Sequence, residues 1–472
     1  MRKRILVLLL LLCCAKSVIG QNTFEKVIDT LGCSYASCIK VTYDNGYVFC
    51  GKSNYGGNDV FICKLDSTGN IEWAKVYSGP SMEAATYIEQ TPDSGYIVNA
   101  VYDGGNFYSK IWLLRLNAIG DTLWTKVYSA GNGGTSLTSN NNLASFNNNI
   151  YGLAGYFRPP ANFYSSFIIT TLSDGTILTT KLYSLSPFGS SLFSIDKTLV
   201  PGFVMAGSVG KTTSEVAILL IRTDPYGDTL WTKKYTFAQN DGAYDVKQTA
   251  DSGFIVTGIS YNGWNFDMVL LKTDSVGSIA WSKINNFNNN ELGSSVEQTT
   301  DSGYIVCGSS QLLMGTDENL YVLKTNQFGD TLWTRTFGGS GTDNGLYIKQ
   351  TKDGGYIIAG YNGSVGNGGA YIIKTDSLGL VSSTTGVAEL NNPLQLVIYP
   401  NPSNGEFNVQ LNGIANNAQL EIYTSSGERL VQRTVCNKTL ETVNLKGHPE
   451  GMYLCALRTG TQVYYRKLIL RQ

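Results

Sequence analysis

The sequence predicts an all-β chain: seven four-stranded blades closed into a β-propeller, followed by a small Ig-like β-sandwich. Three observations carry this. A block of text returns roughly every fifty residues, most plainly as Asp93-Ser94-Gly95-Tyr96-Ile97-Val98, Asp251-Ser252-Gly253-Phe254-Ile255-Val256 and Asp301-Ser302-Gly303-Tyr304-Ile305-Val306. A fixed period of that length marks one supersecondary unit copied many times. Each copy parses into four short runs separated by Asp and Gly turn signals, which is the size of a propeller blade. The repeat then stops after Gly379, and a differently patterned β segment fills the rest of the chain.

The first twenty residues read as a targeting leader rather than as structure. Arg2-Lys3-Arg4 is a basic start, Ile5 to Cys14 is apolar, and Val18 and Gly20 are small residues suited to cleavage before Gln21. That apolar run is too short for a bilayer, which needs about twenty residues. Charged residues make up only 15% of the chain and the net charge is -1, so nucleic acid is not an expected partner. The 52 glycines and 29 tyrosines suit a turn-rich, extracytoplasmic β protein. Of nine cysteines, Cys33, Cys38, Cys50, Cys63, Cys307, Cys436 and Cys455 lie beyond the leader. Disulfides between Cys436 and Cys455 and within the N-terminal four, or buried free thiols, are both open readings.

In the second copy the strands are expected at 85–91, 96–102, 110–117 and 122–128. The Asp93-Ser94-Gly95 turn joins the first two, with Asp accepting a local hydrogen bond and Gly expected at positive φ. Runs such as Ile111-Trp112-Leu113-Leu114 are apolar on both faces, so the middle strands are covered on both sides. The glycine that opens the second strand stands at Gly46, Gly95, Gly202, Gly253, Gly303 and Gly355, with Ile150 in the degenerate third copy. The count is therefore seven. A tryptophan recurs in the fourth strand at Trp73, Trp124, Trp231, Trp281 and Trp333. The seventh copy lacks that strand, whereas Phe24-Glu25-Lys26-Val27-Ile28 supplies one ahead of the first copy. The N-terminus is thus expected to complete the last blade and close the ring, removing two exposed sheet edges.

The turn in Asp66-Ser67-Thr68-Gly69-Asn70-Ile71-Glu72-Trp73 resembles the tryptophan-docking motif of quinoprotein propellers and the Asp-box of sialidase-type propellers, with different spacing from each. Both resemblances imply a structural turn with the tryptophan packed between blades. Neither brings a site. The chain's single histidine, His448, lies beyond the ring, so no Ser-His-Asp or Cys-His pair is available there. Arg115 and Arg222 stand where other copies have Lys64, Lys272, Lys324 and Lys374, and the turn aspartates are accounted for as turns. No catalytic, metal or cofactor site is expected. The copies differ instead in the loops between second and third strands, which carry Tyr55, Phe107, Tyr108, Phe163, Tyr164 and Trp264 among Asn and Gly. Exposed aromatics in that setting suit stacking on sugar rings or contacts with protein. The expected function is a secreted or cell-surface scaffold that binds glycan or protein. The alternative is an extracellular polysaccharide hydrolase or lyase using carboxylates in the central channel.

Residues 21–380 are assigned to the propeller, 381–395 to a small, polar linker and 396–472 to a C-terminal module. There Phe407-Asn408-Val409-Gln410-Leu411 and Leu420-Glu421-Ile422-Tyr423 alternate with period two, as sandwich strands do. Tyr399-Pro400-Asn401-Pro402-Ser403-Asn404-Gly405, Gly451-Met452-Tyr453-Leu454 and Lys467-Leu468-Ile469-Leu470 together resemble the C-terminal (type A) sorting domain of Bacteroidetes type IX secretion cargo. The resemblance implies recognition by the type IX outer-membrane translocon and removal by a sortase-like peptidase. It also implies attachment to anionic lipopolysaccharide, or release outside the cell. Its signal residues would be Tyr399, Pro400, Asn401, Pro402, Gly451, Tyr453, Lys467 and Leu468.

Overall fold

The computed structural model describes residues 22–471 apart from 56, 80–81, 104–108, 130–133, 137–141, 147–148, 159–162, 286–288, 313–316, 367, 382–394, 400, 402, 413–417, 425–427, 436–439 and 460–461. The leader, Phe107, Tyr108, Pro400, Pro402, Cys436 and most of the linker therefore lie outside the described residues. The chain forms two compact units that divide between residues 382 and 383.

The first unit is seven antiparallel blades in chain order, blades 4 and 5 being joined into one eight-stranded sheet by a parallel bridge between Val216 and Asn240. Blade 2 runs Met82–Gln90, Tyr96–Asp103, Ser109–Leu116 and Thr122–Tyr128, each strand paired with the next. The innermost strands of blades 1 and 4 to 7 are Cys33–Val41, Ser190–Lys197, Asn240–Gln248, Asn289–Gln298 and Asp343–Gln350. Blade 3 is the irregular one: its inner strand is split into Gly134–Ser136 and Leu143–Phe146, both paired to Ile150–Arg158. The seventh blade has three strands of its own. Phe24–Ile28 pairs antiparallel with Gly369–Thr375 as its fourth, in a register running from Phe24 opposite Lys374 to Ile28 opposite Ala370.

Neighbouring blades are held by a docking unit that repeats around the ring. Trp73 on the fourth strand of blade 1 packs edge-on against Tyr96 of blade 2, ring centroids 5.8 Å apart, and reaches the turn glycine Gly120. Trp231, Trp281 and Trp333 make the same contact with Phe254, Tyr304 and Tyr356. Trp124 reaches Gly175 of blade 3. Lysines two residues on bridge to the next blade's turn, as in Lys75 to Asp121 at 2.6 Å and Lys283 to Asp330 at 2.9 Å. At the closure Phe24 stands in for the tryptophan, edge-on to Tyr47 at 6.0 Å and against Gly69, while Lys26 donates to the Gly69 carbonyl at 2.6 Å. The blade-7-to-blade-1 junction is therefore chemically like the others, which is why a strand from the far end of the chain fits it.

One expectation needs correction, and one open reading is decided. In five of the turns between first and second strands, positive φ falls on the residue before the glycine, at Asn45, Ser94, Ser252, Ser302 and Gly354, whereas in blade 4 Gly202 itself has φ +138, as expected. Gly95 is needed for a different reason. A Cβ there would lie 2.3 Å from the Leu116 carbonyl oxygen and 2.4 Å from Arg115 Nη1. The glycine makes room for the third-strand cation to reach the turn, as Arg115 does to Asp93 at 2.6 Å and Lys324 does to Asp301 at 2.9 Å. The N-terminal cysteines also form no disulfides: Cys33, Cys38, Cys50 and Cys63 are buried free thiols, as are Cys307 and Cys455.

The second unit is a sandwich of a three-stranded and a four-stranded sheet. Phe407, Val409, Leu420, Ile422, Val443, Cys455, Leu457, Leu468 and Leu470 fill its core.

Candidate functional site

Antiparallel blades put the loops between second and third strands, and those from blade to blade, at one end of the ring. The turns between first and second strands, and between third and fourth, lie at the other. The sequence-predicted aromatics belong to the first end. Tyr55, Phe163, Tyr164 and Trp264 are exposed there, Trp264 almost fully at 91%. They sit on blades 1, 3 and 5, and the neighbours Phe163 and Tyr164 line one pocket. That pocket, about 470 Å³, is completed by Ser165, Ser184, Leu185, Ser186, Pro187 and Ser190. Phe163 leans edge-on against Phe188, and Tyr164 against Tyr156 at 5.2 Å. From Tyr156 the rings continue to Phe193 at 5.8 Å and on to Tyr244 at 5.6 Å, crossing blades 3, 4 and 5. The Trp264 loop is fixed by its own polar groups: the Asn262 side chain accepts the Trp264 N–H at 3.0 Å, and Asn265 donates to Asp267 at 2.7 Å.

The opposite end holds a site that sequence reasoning missed. A cavity of about 470 Å³ on the propeller axis takes lining residues from all seven blades, among them Lys40, Glu89, Ser145, Asp196, Lys247, Glu297 and Lys349. These seven occupy one repeat position, two residues before Thr42, Thr91, Thr198, Thr249, Thr299 and Thr351 in six copies. Lys40 donates to the Tyr87 hydroxyl at 2.6 Å and to that of Tyr347, and lies over both rings at 4.1 and 4.4 Å. Lys247 pairs with the fully buried Asp245 at 2.8 Å, and Lys349 pairs with Glu297. Burial pulls the Lys40 ammonium below its ordinary pKa and pushes the Glu89 and Asp196 carboxyls up. For Lys247 burial acts downward too, but Asp245 and Asp196 outweigh it and hold the ammonium above its ordinary value. The signal that would have found this cavity is a repeat position that is charged in six of the seven copies while its sign changes from copy to copy.

In the C-terminal unit the two ends of the sorting motif meet. The Asn401 side chain accepts the Ile469 N–H at 2.8 Å, and Ser403 exchanges backbone bonds with Ile469 and Arg471 at 3.0 and 2.9 Å. Leu468 is fully buried, and Tyr453 is buried with its hydroxyl donating to the Pro449 carbonyl at 2.5 Å. Gly451 has φ +149, a conformation that side chains disfavour. Of Tyr399 and Lys467 only the backbone is described, in the strands Gln395–Tyr399 and Gln462–Leu470.

Comparison with known proteins agrees with this division. No curated protein matches the chain. Similar solved structures include Sqt1 from Chaetomium thermophilum (11% identity, TM-score 0.42, 72% of this chain and 82% of that one). Drosophila Semaphorin 2a (9%, 0.44, 92% and 95%) and a puromycin hydrolase (8%, 0.49, 80% and 58%) are others. Likeness at this level carries no argument about activity. Residues 397–471 match the family model described as secretion system C-terminal sorting domain. The chain is therefore type IX secretion cargo, a propeller carrying that sorting domain, exported to the cell exterior or the outer-membrane surface.

Proposed function

We propose that the propeller is a binding scaffold, not an enzyme, and that its aromatic loop end holds a glycan. The observation that carries this is the pocket beside Phe163 and Tyr164. Its two exposed rings stand among four serines, the combination a sugar requires. The C–H face of a pyranose stacks on an aromatic ring, and its hydroxyls bond to short polar side chains. Trp264, held in place by Asn262, offers a second rigid platform at little entropic cost. After export a sortase-like peptidase removes the C-terminal unit, and anionic lipopolysaccharide anchors the propeller or it is released.

A glycan array probed with the exported protein, beside turnover assays on the same polysaccharides, tests this. Binding should be lost in Tyr164→Ala and weakened in Trp264→Ala, each stacked ring contributing about 0.5–1.5 kcal/mol beyond its buried area. Capture of proteins but no glycans would move the reading to a protein partner. Turnover that survives both changes and is lost in Glu89→Gln would favour the hydrolase or lyase.

A further inference from the structure

The axial cavity at the other end carries a second inference, on residues the glycan reading does not use. Around the ring its charged position runs Lys40, Glu89, Ser145, Asp196, Lys247, Glu297, Lys349. Lys349 is neutralised by Glu297, and Lys247 by Asp245. What remains is polarised. Lys40 stands on blade 1, held by the hydroxyls and ring faces of Tyr87 and Tyr347. Glu89 and Asp196 stand on blades 2 and 4, either side of neutral Ser145. Among the described residues none of these three groups is in an ion pair, and Asp196 accepts only the Gln248 N–H, at 3.0 Å. All three are half-buried in the cavity wall. Lys40 and Lys197 act on Glu89, and Lys247 and Lys197 on Asp196, without closing to an ion pair, so each keeps room for a direct partner of opposite charge. A ligand carrying both charges would compensate all three.

We propose that the axial cavity is a binding site for a small zwitterion of the free amino acid class. Its carboxylate meets the Lys40 ammonium and the tyrosine hydroxyls, and its ammonium lies between Glu89 and Asp196. The cavity volume of about 470 Å³ is that of a small-molecule site. Its lining is polar and charged rather than apolar, which disfavours lipids and neutral sugars. Ser145 is the one small uncharged residue at this position, and it leaves room for a side chain between the two acidic residues.

The test is calorimetric titration of the full exported chain with each of the twenty L-amino acids, with acetate and methylammonium as single-charge controls. At least one amino acid should bind with a Kd of about 1 mM or tighter, and either control at least about tenfold more weakly. Lys40→Met and Glu89→Gln should each weaken binding about tenfold or more, and Trp264→Ala should leave it unchanged. If Lys40→Met does not fold, the isosteric Glu89→Gln carries the test, with a melting curve to confirm its fold. Binding by no amino acid, equal binding of acetate, or full affinity in Glu89→Gln would overturn the assignment. None of these results bears on the glycan array.

Discussion

At the scale of single residues, the repeat hides two different glycine requirements behind one motif. Gly95 and its counterparts are conspicuous in the sequence, yet what they do was not legible. The nearby carbonyl and cation belong to a strand some twenty residues on, and no local pattern reports that approach. Substitution separates the two effects. Gly354 has φ +83 and open space where a Cβ would stand, so Gly354→Ala should cost about 1–2 kcal/mol, the price of a left-handed alanine. Gly95→Ala should cost more, because Leu116 and Arg115 must both move. Ser94→Gly, at φ 63, should be neutral or stabilising by up to about 1 kcal/mol. Urea unfolding of the three variants checks the order; a milder loss for Gly95→Ala than for Gly354→Ala would restore the positive-φ reading.

At the scale of strands and turns, strand number, the middle strands' double burial and the docking tryptophans were all readable, because each repeats with the period. The axial cavity was not. In the inner strands of blades 1, 2, 4, 5, 6 and 7 the register shifts at an equivalent place, between Ala36 and Cys38, Ala85 and Tyr87, and their counterparts, with a further shift in blade 1 between Cys33 and Tyr35. A bulge of this kind reverses which face the following residues present, so simple alternation cannot assign them. The first-to-second-strand turns make an acid-sensitive element. Bonds from the Thr91 hydroxyl and the Arg115 guanidinium hold Asp93 at about 2, below its ordinary value. A carboxylate depressed on folding adds stability that is complete above about pH 4 and is lost as pH falls towards 2. Asp93 is largely exposed, so its share is modest. Stability followed by circular dichroism from pH 5 to 2 should fall less in Asp93→Asn than in the native chain, the two converging near pH 2. Parallel curves would remove Asp93 from the account.

At the scale of the whole molecule, export and binding are divided between two units. The sorting unit was legible because its motifs are local, and the structure adds that its first and last motifs are bonded together through Asn401, Ser403 and Ile469. Loss of residues 467–472 removes that bonding along with the buried Leu468 and Leu470. A chain so truncated should stay in the periplasm of a type IX-competent host, as fractionation and immunoblotting would show; unchanged secretion would contradict this. Which loops meet around a pocket was not legible, since that depends on blade positions around the ring rather than on neighbours in sequence. Both proposed sites need the ring closed by its N-terminal strand, and one measurement addresses that closure directly: the thermal unfolding midpoint of the chain lacking Phe24–Ile28. The deletion removes the ladder to Gly369–Thr375 and the buried side chains of Phe24 and Ile28, worth about 1.5–3 kcal/mol each. The midpoint should fall by about 10 °C or more. An unchanged midpoint would mean that the ring does not depend on strand exchange, and would contradict the closure on which the two sites rest.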